Sequence, residues 1–302
     1  MKCIIISLNS VIDKHYYTEE FNINAENFVS RQTVFAAGKG VNVAKALNEF
    51  SVPYKLVCLL GKENSSYFDS LLKDIGLSAD IVLSAGKTRE NISIHAKNIS
   101  ETRICTNEFY ATNEDCINTL SRAYEHTDCE DIVVLSGRFP EKISKSEIVG
   151  FLKKFKEKKV KLILDSVSFN SDDFEILKPF LVKPNEFEIK AFGETEKSGI
   201  EKLLSCGVEY VALSKGSKGI ELYSRGERAK CTPPDIIPLS TVGAGDSSVA
   251  GFVYAFLNQM NPFEALRYAV SFGTASCLSE GGISPQKNDI EFCLKCSSVE
   301  ML

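Results

Sequence analysis

What most constrains the fold is a rhythm that runs along nearly the whole chain. Short apolar runs alternate with stretches of helical character. "MKCIIISL" opens the chain and predicts a buried strand over residues 2–8. "GVNVAKALNEF" (40–50) predicts a helix, "YKLVCLL" (54–60) a strand, and 65–75 a second helix. The pattern repeats with strands at "DIVVLS" (131–136), "KLILD" (161–165) and "YVALS" (210–214), and with a charged amphipathic helix over 144–157. Helices over 245–258, 262–279 and, more weakly, 289–296 close the chain. Short apolar strands separated by helices predict a mostly parallel sheet covered on both faces. Two stretches break the rhythm. Residues 11–35 and 88–109 alternate polar and apolar side chains, as in "NISIHAKNISETRICTN", and predict antiparallel hairpins that form a small β lid. No repeat or long linker divides the sequence, so one α/β domain spanning 1–302 is expected.

Charge narrows the partners. With 35 basic and 40 acidic residues the formal net charge is -5, which makes nucleic acid a poor default partner. A small anion is still compatible with local basic groups. Ten cysteines sit mostly inside apolar runs, the usage of a reduced, cytoplasmic chain with buried thiols. Cys293 and Cys296 form a lone CxxC without the second pair that a structural zinc site needs. No apolar run has transmembrane length, and the N-terminus turns polar too soon for a signal peptide.

Three local patterns carry chemistry. In "STVGAGDSSVAG" (240–251) the glycines permit a sharp turn just before a helix. The free amides of a helix start suit a phosphate. Asp246 in that turn reads locally as an N-cap. Its other reading is a base that takes a proton from a hydroxyl attacking the bound phosphate. In "AAGKGVNVAKAL" (36–47) Lys39 lies in a glycine turn and Asn42 on the first helical turn; the third glycine of a dinucleotide motif is absent. Gly86-Lys87-Thr88 copies the end of a phosphate-binding loop, but Ile81 stands where its first glycine belongs. "LVKPNEFEI" (181–189) ends a strand with Lys183, Asn185 and Glu188, suited either to ordinary helix-start chemistry or to a hydrated Mg²⁺.

Together, Asn9-x-x-x-Asp13, "AGKGVN", "TREN", "SGRFP", "LVKPNEFE", "SKGSKG" and "STVGAGDSSVAG" resemble the ribokinase-type (PfkB) carbohydrate kinases. Within them the order is similar to the branch of 1-phosphofructokinase and tagatose-6-phosphate kinase. The likeness runs from residue 4 to about 283. It implies a ribokinase-like three-layer α/β sandwich of eight or nine strands with a β lid, often a dimer through the lids. It implies ATP and Mg²⁺, and transfer of a phosphoryl group to a phosphorylated ketohexose. By that resemblance Asp246 is the base, and Gly243, Ala244 and Gly245 form the anion hole. Asp13, Gly38, Lys39 and Asn42 hold sugar hydroxyls, while Arg89 and Arg103 face the sugar's phosphate. Lys183, Asn185, Ser214, Gly216, Gly219 and Thr241 surround ATP, and Asn185 and Glu188 serve Mg²⁺ through water.

Four positions depart from the branch: Ser10 replaces a proline, Ala37 a glycine, Arg138 a serine near the substrate phosphate, and Phe28 a basic residue. A positive φ at residue 37 would cost an alanine about 1 kcal/mol. Arg138 is expected to add a phosphate contact or to reshape the pocket. Two other readings keep the fold: a kinase of an unphosphorylated sugar or nucleoside, and a non-catalytic sugar-phosphate sensor.

Overall fold

The computed structural model describes residues 1–99, 102–106, 110–281 and 283–302. The chain opens with β1 (Cys3–Ser7), β2 (Val11–Tyr17), β3 (Arg31–Ala37), α1 (Lys39–Glu49), β4 (Tyr54–Gly61) and α2 (Ser65–Asp74). It continues through β5 (Ala79–Ser84), β6 (Glu90–His95), β7 (Thr102–Cys105), α3 (Asn113–His126), β8 (Ile132–Ser136) and α4 (Lys145–Leu152). Then come β9 (Lys161–Asp165), α5 (Ser171–Leu177), β10 (Leu181–Val182), α6 (Glu196–Ser205), β11 (Tyr210–Ser214), β12 (Ile220–Tyr223) and β13 (Arg228–Thr232). The last elements are α7 (Ala244–Leu257), α8 (Pro262–Ser276), α9 (Lys287–Cys296) and β14 (Ser298–Met301).

Ten strands form the large sheet in the order β14-β13-β12-β11-β10-β9-β8-β1-β4-β5. The seven from β5 to β11 are parallel, and β12, β13 and β14 are antiparallel. The count exceeds the expected eight or nine because the C-terminal segment adds an edge strand to β13. Period-two alternation divides the core in two. Cys3, Ile5, Leu56 and Val134 face the layer of α1, α2, α7, α8 and α9. Ile4, Ile6, Val57 and Val133 face α3, α4, α5 and α6. Both faces of the sheet are therefore covered, which is why the strands read as near-continuous apolar runs.

The charged helix expected over 144–157 stops at Leu152 and tightens into a 3-10 turn over Lys153–Lys158. The lysine-rich run "KKFKEKK" sets like-charged Lys154 and Lys158 four residues apart and offers one opposite-charge pair at that spacing, Lys153 with Glu157, in the less favourable order. Both predicted hairpins form, β2 with β3 and β6 with β7. They then meet along β2 and β6 in parallel, a pairing that hairpin reasoning did not contain. Asn107, Glu108 and Phe109, which end the second predicted hairpin, and Ser100 and Glu101 within it, lie outside the described residues. In this four-stranded sheet Asp13, Phe35 and Asn91 occupy one register row, with His15, Thr33, Ser93 and Arg103 in the next row on the same face.

Strand order reverses at β1: β4 lies on one side of it and β8 on the other. In doubly wound sheets the crevice outside the carboxyl ends at such a point takes ligands. Gly38, Gly137 and Asp165 all lie there, each just past or at the end of a strand. Among the described residues no helix is long and apolar enough to cross a membrane.

Candidate active site

Gly243 begins the site. It is the N-cap of α7 with φ 85°, a left-handed conformation that costs other residues energy. Turning there aims the first amides of α7, which have no intrahelical acceptor, out of the helix. The amide of Ala244 makes one long bond, 3.4 Å, to the Thr241 carbonyl. Asp246 sits in the first turn, and no side chain caps this helix. Its Oδ2 instead accepts from Asn42 Nδ2 at 2.8 Å. The local N-cap reading of Asp246 is thereby replaced: the carboxylate is buried and turned toward α1.

Gly38 does the corresponding work for α1. Its φ is 119°, and Ala37 is not among the residues of positive φ, so the alanine at that position carries no strain. A Cβ on Gly38 would come within 3.1 Å of the Ser10 backbone. The turn directs Lys39 across to β9, where its Nζ lies 3.2 Å and 3.3 Å from the two oxygens of Asp165. Lys183 approaches the same carboxylate at 3.6 Å, and both Lys183 and Asp165 are buried. A Cβ on Gly245 would stand 3.3 Å from Lys183 Nζ, so this lysine abuts the helix start. Lys183, expected near ATP, thus reaches the amide turn. Asp165 was not singled out from sequence. Its only signal is a carboxylate closing the apolar run "KLILD" at a strand's carboxyl end.

These charges set the basicity of Asp246. Burial pushes its carboxyl up to about 6, Asp165 adds to the rise, and Lys39, Asn42 and Lys183 oppose it. Burial pulls the Lys39 ammonium down, but Asp165, Asp246 and Glu188 outweigh it and the net shift is upward. The result is a carboxylate largely ionised at neutral pH and close enough to neutrality to accept a proton.

A second charge cluster lies under the small sheet. Arg103 Nη2 is 3.0 Å from both oxygens of Asp13, so this arginine is held by a carboxylate and does not stand free. Arg89 donates to Asn91 Oδ1 (3.3 Å) and to the Asn9 carbonyl (3.4 Å), and its Nε is buried without a partner among the described residues. Burial lowers the Arg89 pKa first, and the positive charge of Arg138 lowers it next, with Arg103 also contributing. Arg138 is exposed at the end of β8. Asn9 Oδ1 and Ser136 Oγ are likewise buried and unpartnered among the described residues. Buried polar atoms without partners need an explanation, and a polar ligand supplies one.

The remaining expected residues divide. Asn185 and Ser214 meet in a bridge beside the turn that holds Gly216 and Gly219, with Lys215 N donating to Gly219 O at 2.9 Å. Thr241 is exposed before α7. Asn185 Oδ1 accepts from the amides of Phe187 and Glu188, and Glu188 Oε2 accepts from the Asn185 amide. That reciprocal pair is helix-start chemistry. Gly86-Lys87-Thr88 packs against Gly61, whose amide donates to Thr88 Oγ1 at 3.0 Å, so the partial phosphate-loop match serves a turn. Cys293 is buried and Cys296 exposed on α9.

The model of the pfkB family of carbohydrate kinases matches residues 4–289. This chain is a member of that family. Its curated relatives include the 1-phosphofructokinase of Borreliella burgdorferi, 30% identical over 90% of this chain and 91% of that protein. The Vibrio cholerae 1-phosphofructokinase is 26% identical over 99% and 97%. Among solved structures, Escherichia coli phosphofructokinase-2 in complex with fructose-6-phosphate superposes with a TM-score of 0.87 at 18% identity, covering 98% of each chain. A Thermotoga maritima protein described as a possible 1-phosphofructokinase gives 0.85 at 23% identity over the full length of both. Those likenesses show a shared fold. As a pfkB kinase, the chain transfers a phosphoryl group to a hydroxyl.

Proposed function

We propose that this kinase uses ATP and Mg²⁺ to phosphorylate fructose 1-phosphate, giving fructose 1,6-bisphosphate, with tagatose 6-phosphate as the second candidate substrate. Support comes from the 1-phosphofructokinase relatives. The observation that carries the choice of a phosphorylated sugar is the arginine cluster: Arg138 and Arg103 both act electrostatically on Arg89, whose Nε is unpartnered among the described residues. A neutral sugar does not need several guanidinium groups, whereas their forked donors match phosphate oxygens.

Asp246 accepts the proton of the acceptor hydroxyl as that oxygen bonds to the γ-phosphorus and the bond to ADP breaks. Gly243, Ala244 and Gly245 direct amides at the transferred group, and Lys39 and Lys183 balance its charge. Asp13, Gly38 and Asn42 orient the sugar. Ser214, Gly216, Gly219 and Thr241 bound the nucleotide beside Asn185. The donor set fits a hydrated Mg²⁺ reached through water by Glu188 and held chiefly by the nucleotide, since Asn185 Oδ1 is already engaged. Bound there, the ion would neutralise phosphate charge. The outer face of the small sheet, with Tyr16, Ile92 and an Ile104 that is 54% exposed, is proposed to pair two copies into a dimer, a state light scattering reads directly.

ATP consumption over a panel of sugars and sugar phosphates tests the substrate. Turnover with fructose 1-phosphate above all others is expected. Preference for an unphosphorylated sugar or nucleoside, or binding without turnover, would select the other two readings.

Arg89→Ala is expected to raise KM for the sugar phosphate roughly tenfold to a hundredfold, the loss of a charge-assisted contact, with KM for ATP little changed. Arg103→Ala should lower kcat as well, because it also releases Asp13. Equal losses for both substrates would point instead to a general folding defect.

Arg138→Ser asks about specificity. It is expected to lower kcat/KM for the preferred sugar phosphate and to change the ranking among fructose 1-phosphate, tagatose 6-phosphate and fructose 6-phosphate. An unchanged ranking would leave Arg138 as a surface arginine.

A further inference from the structure

Among the described residues, the proposed chemistry leaves the buried lysine Lys45 unused. Lys45 is 4% exposed, although lysine is among the residues least often buried. It lies on α1 one turn after Asn42, so the two share a helix face. Asn42 on that face holds Asp246. The Lys45 ammonium stands 5.5 Å over the ring of Phe35, and Phe35 is the cross-strand partner of Asp13. Lys45 is therefore placed between the helix that carries the base and the strand pair that carries the sugar-binding carboxylate.

We infer that Lys45 is a positioning residue, a built-in counter-ion that holds Asp13 and Asp246 in place while the substrates come and go. The inference rests on the roles proposed above for those two carboxylates. The need for it follows from Arg103. That arginine is bound to Asp13 here, yet it is also expected to meet the substrate phosphate. Once phosphate draws on Arg103, Asp13 shares its counter-ion. Lys45 is buried and cannot be drawn away in the same manner.

The charges facing Lys45 are Asp13 from β2 and Asp246 from α7. From β3 it meets the aromatic face of Phe35. His15, edge-on to Phe35 at 5.6 Å between centroids, is the further titratable group on this face. Burial pulls the Lys45 ammonium down to about 8, against the opposing pull of Asp13 and then Asp246. Lys45 therefore carries its charge at neutral pH and loses it in the mildly alkaline range. Activity and stability should respond in opposite directions there. A lysine whose pKa is lowered by folding binds fewer protons folded than unfolded. Its burial cost is fully present at pH 7 and is relieved as pH rises through about 8, so this group favours stability as pH rises. A role in catalysis predicts the reverse for turnover.

The experiment measures kcat and KM for fructose 1-phosphate between pH 6.5 and 9.5 in the wild type, Lys45→Met and Lys45→Arg, with Tm recorded for each. The wild type is expected to lose kcat/KM as pH rises through about 8. Lys45→Met should be at least tenfold slower at pH 7, flat on the alkaline side, and convergent with the wild type near pH 9.5. Lys45→Arg should retain activity and lack the alkaline decline. A constant ratio of wild type to Lys45→Met across the range would mean that Lys45 acts through shape alone and would overturn the inference. So would a wild-type profile that stays flat to pH 9.5. If Lys45→Met fails to fold, the wild-type limb and the Lys45→Arg profile still decide. Failure of the underlying roles has a different signature: Asp246→Asn would remain active whatever Lys45 does.

Discussion

Asp246→Asn is expected to leave a folded protein that binds both substrates and turns over about 10²–10⁴ times more slowly, the usual cost of losing a general base. The substitution keeps an oxygen for Asn42 to bond, so the contact between α1 and α7 survives. In the wild type, turnover should rise with pH through about 6, where the buried carboxyl gives up its proton. The stability change has a definite sign. Folding raises the Asp246 pKa, so the folded chain binds the proton more tightly than the unfolded one. Stability from this group is fully present at low pH and declines as pH rises through about 6. Asparagine removes that decline. The variant should gain on the order of a few °C in Tm at pH 7–8 and less near pH 4.5. Near-normal turnover in a folded Asp246→Asn would reduce Asp246 to a structural carboxylate and take the mechanism with it.

The glycine turn that carries Asp246 was legible from sequence, and the family resemblance singled the residue out as a base, but its local surroundings were not legible. Glycines before an apolar run gave the turn, and Gly243 does adopt it. Nothing in "TVGAGDS" says that the carboxylate bonds to Asn42, 204 residues earlier in the chain. The parallel strands were legible for a related reason: burial on both faces leaves a continuous apolar signature. Pairings set by tertiary context were not. The parallel meeting of β2 with β6 joins hairpins that each look complete alone. Asp165 escaped notice because a strand-end carboxylate has many ordinary uses, and only the fold brings Lys39 and Lys183 to it. Arg103 was expected, by resemblance, to face the sugar's phosphate, and its bond to Asp13 depends on the register of β6 and β7 against β2. The sequence left open whether residue 37 needs a positive φ, and the chain places that φ one residue later, on Gly38.

Asp165→Asn is expected to have the largest effect on stability. Asp165 is 1% exposed and answers two ammonium groups, Lys39 at 3.2 Å and Lys183 at 3.6 Å. Removing one partner of a buried ion pair leaves charge uncompensated and typically costs about 3–5 kcal/mol. Lys39 retains some access to water and can relax, so the lower end, about 3 kcal/mol, is expected. Lys183 is 5% exposed and has no such outlet. The variant also tests the electrostatics of the base. Asp165 raises the Asp246 carboxyl, while Lys39 and Lys183 lower it. Neutralising Asp165 removes the charge that opposes both lysines and leaves burial alone to raise the carboxyl. The acid limb of the rate profile should move downward from about 6, even as maximal turnover falls because the base is weaker and the lysines are less firmly placed. Thermal unfolding and the pH profile of kcat, measured on the same preparation, separate the two effects. A lower Tm with an unmoved acid limb would confine Asp165 to holding β9 against α1, and the account of what tunes Asp246 would have to be rebuilt without it.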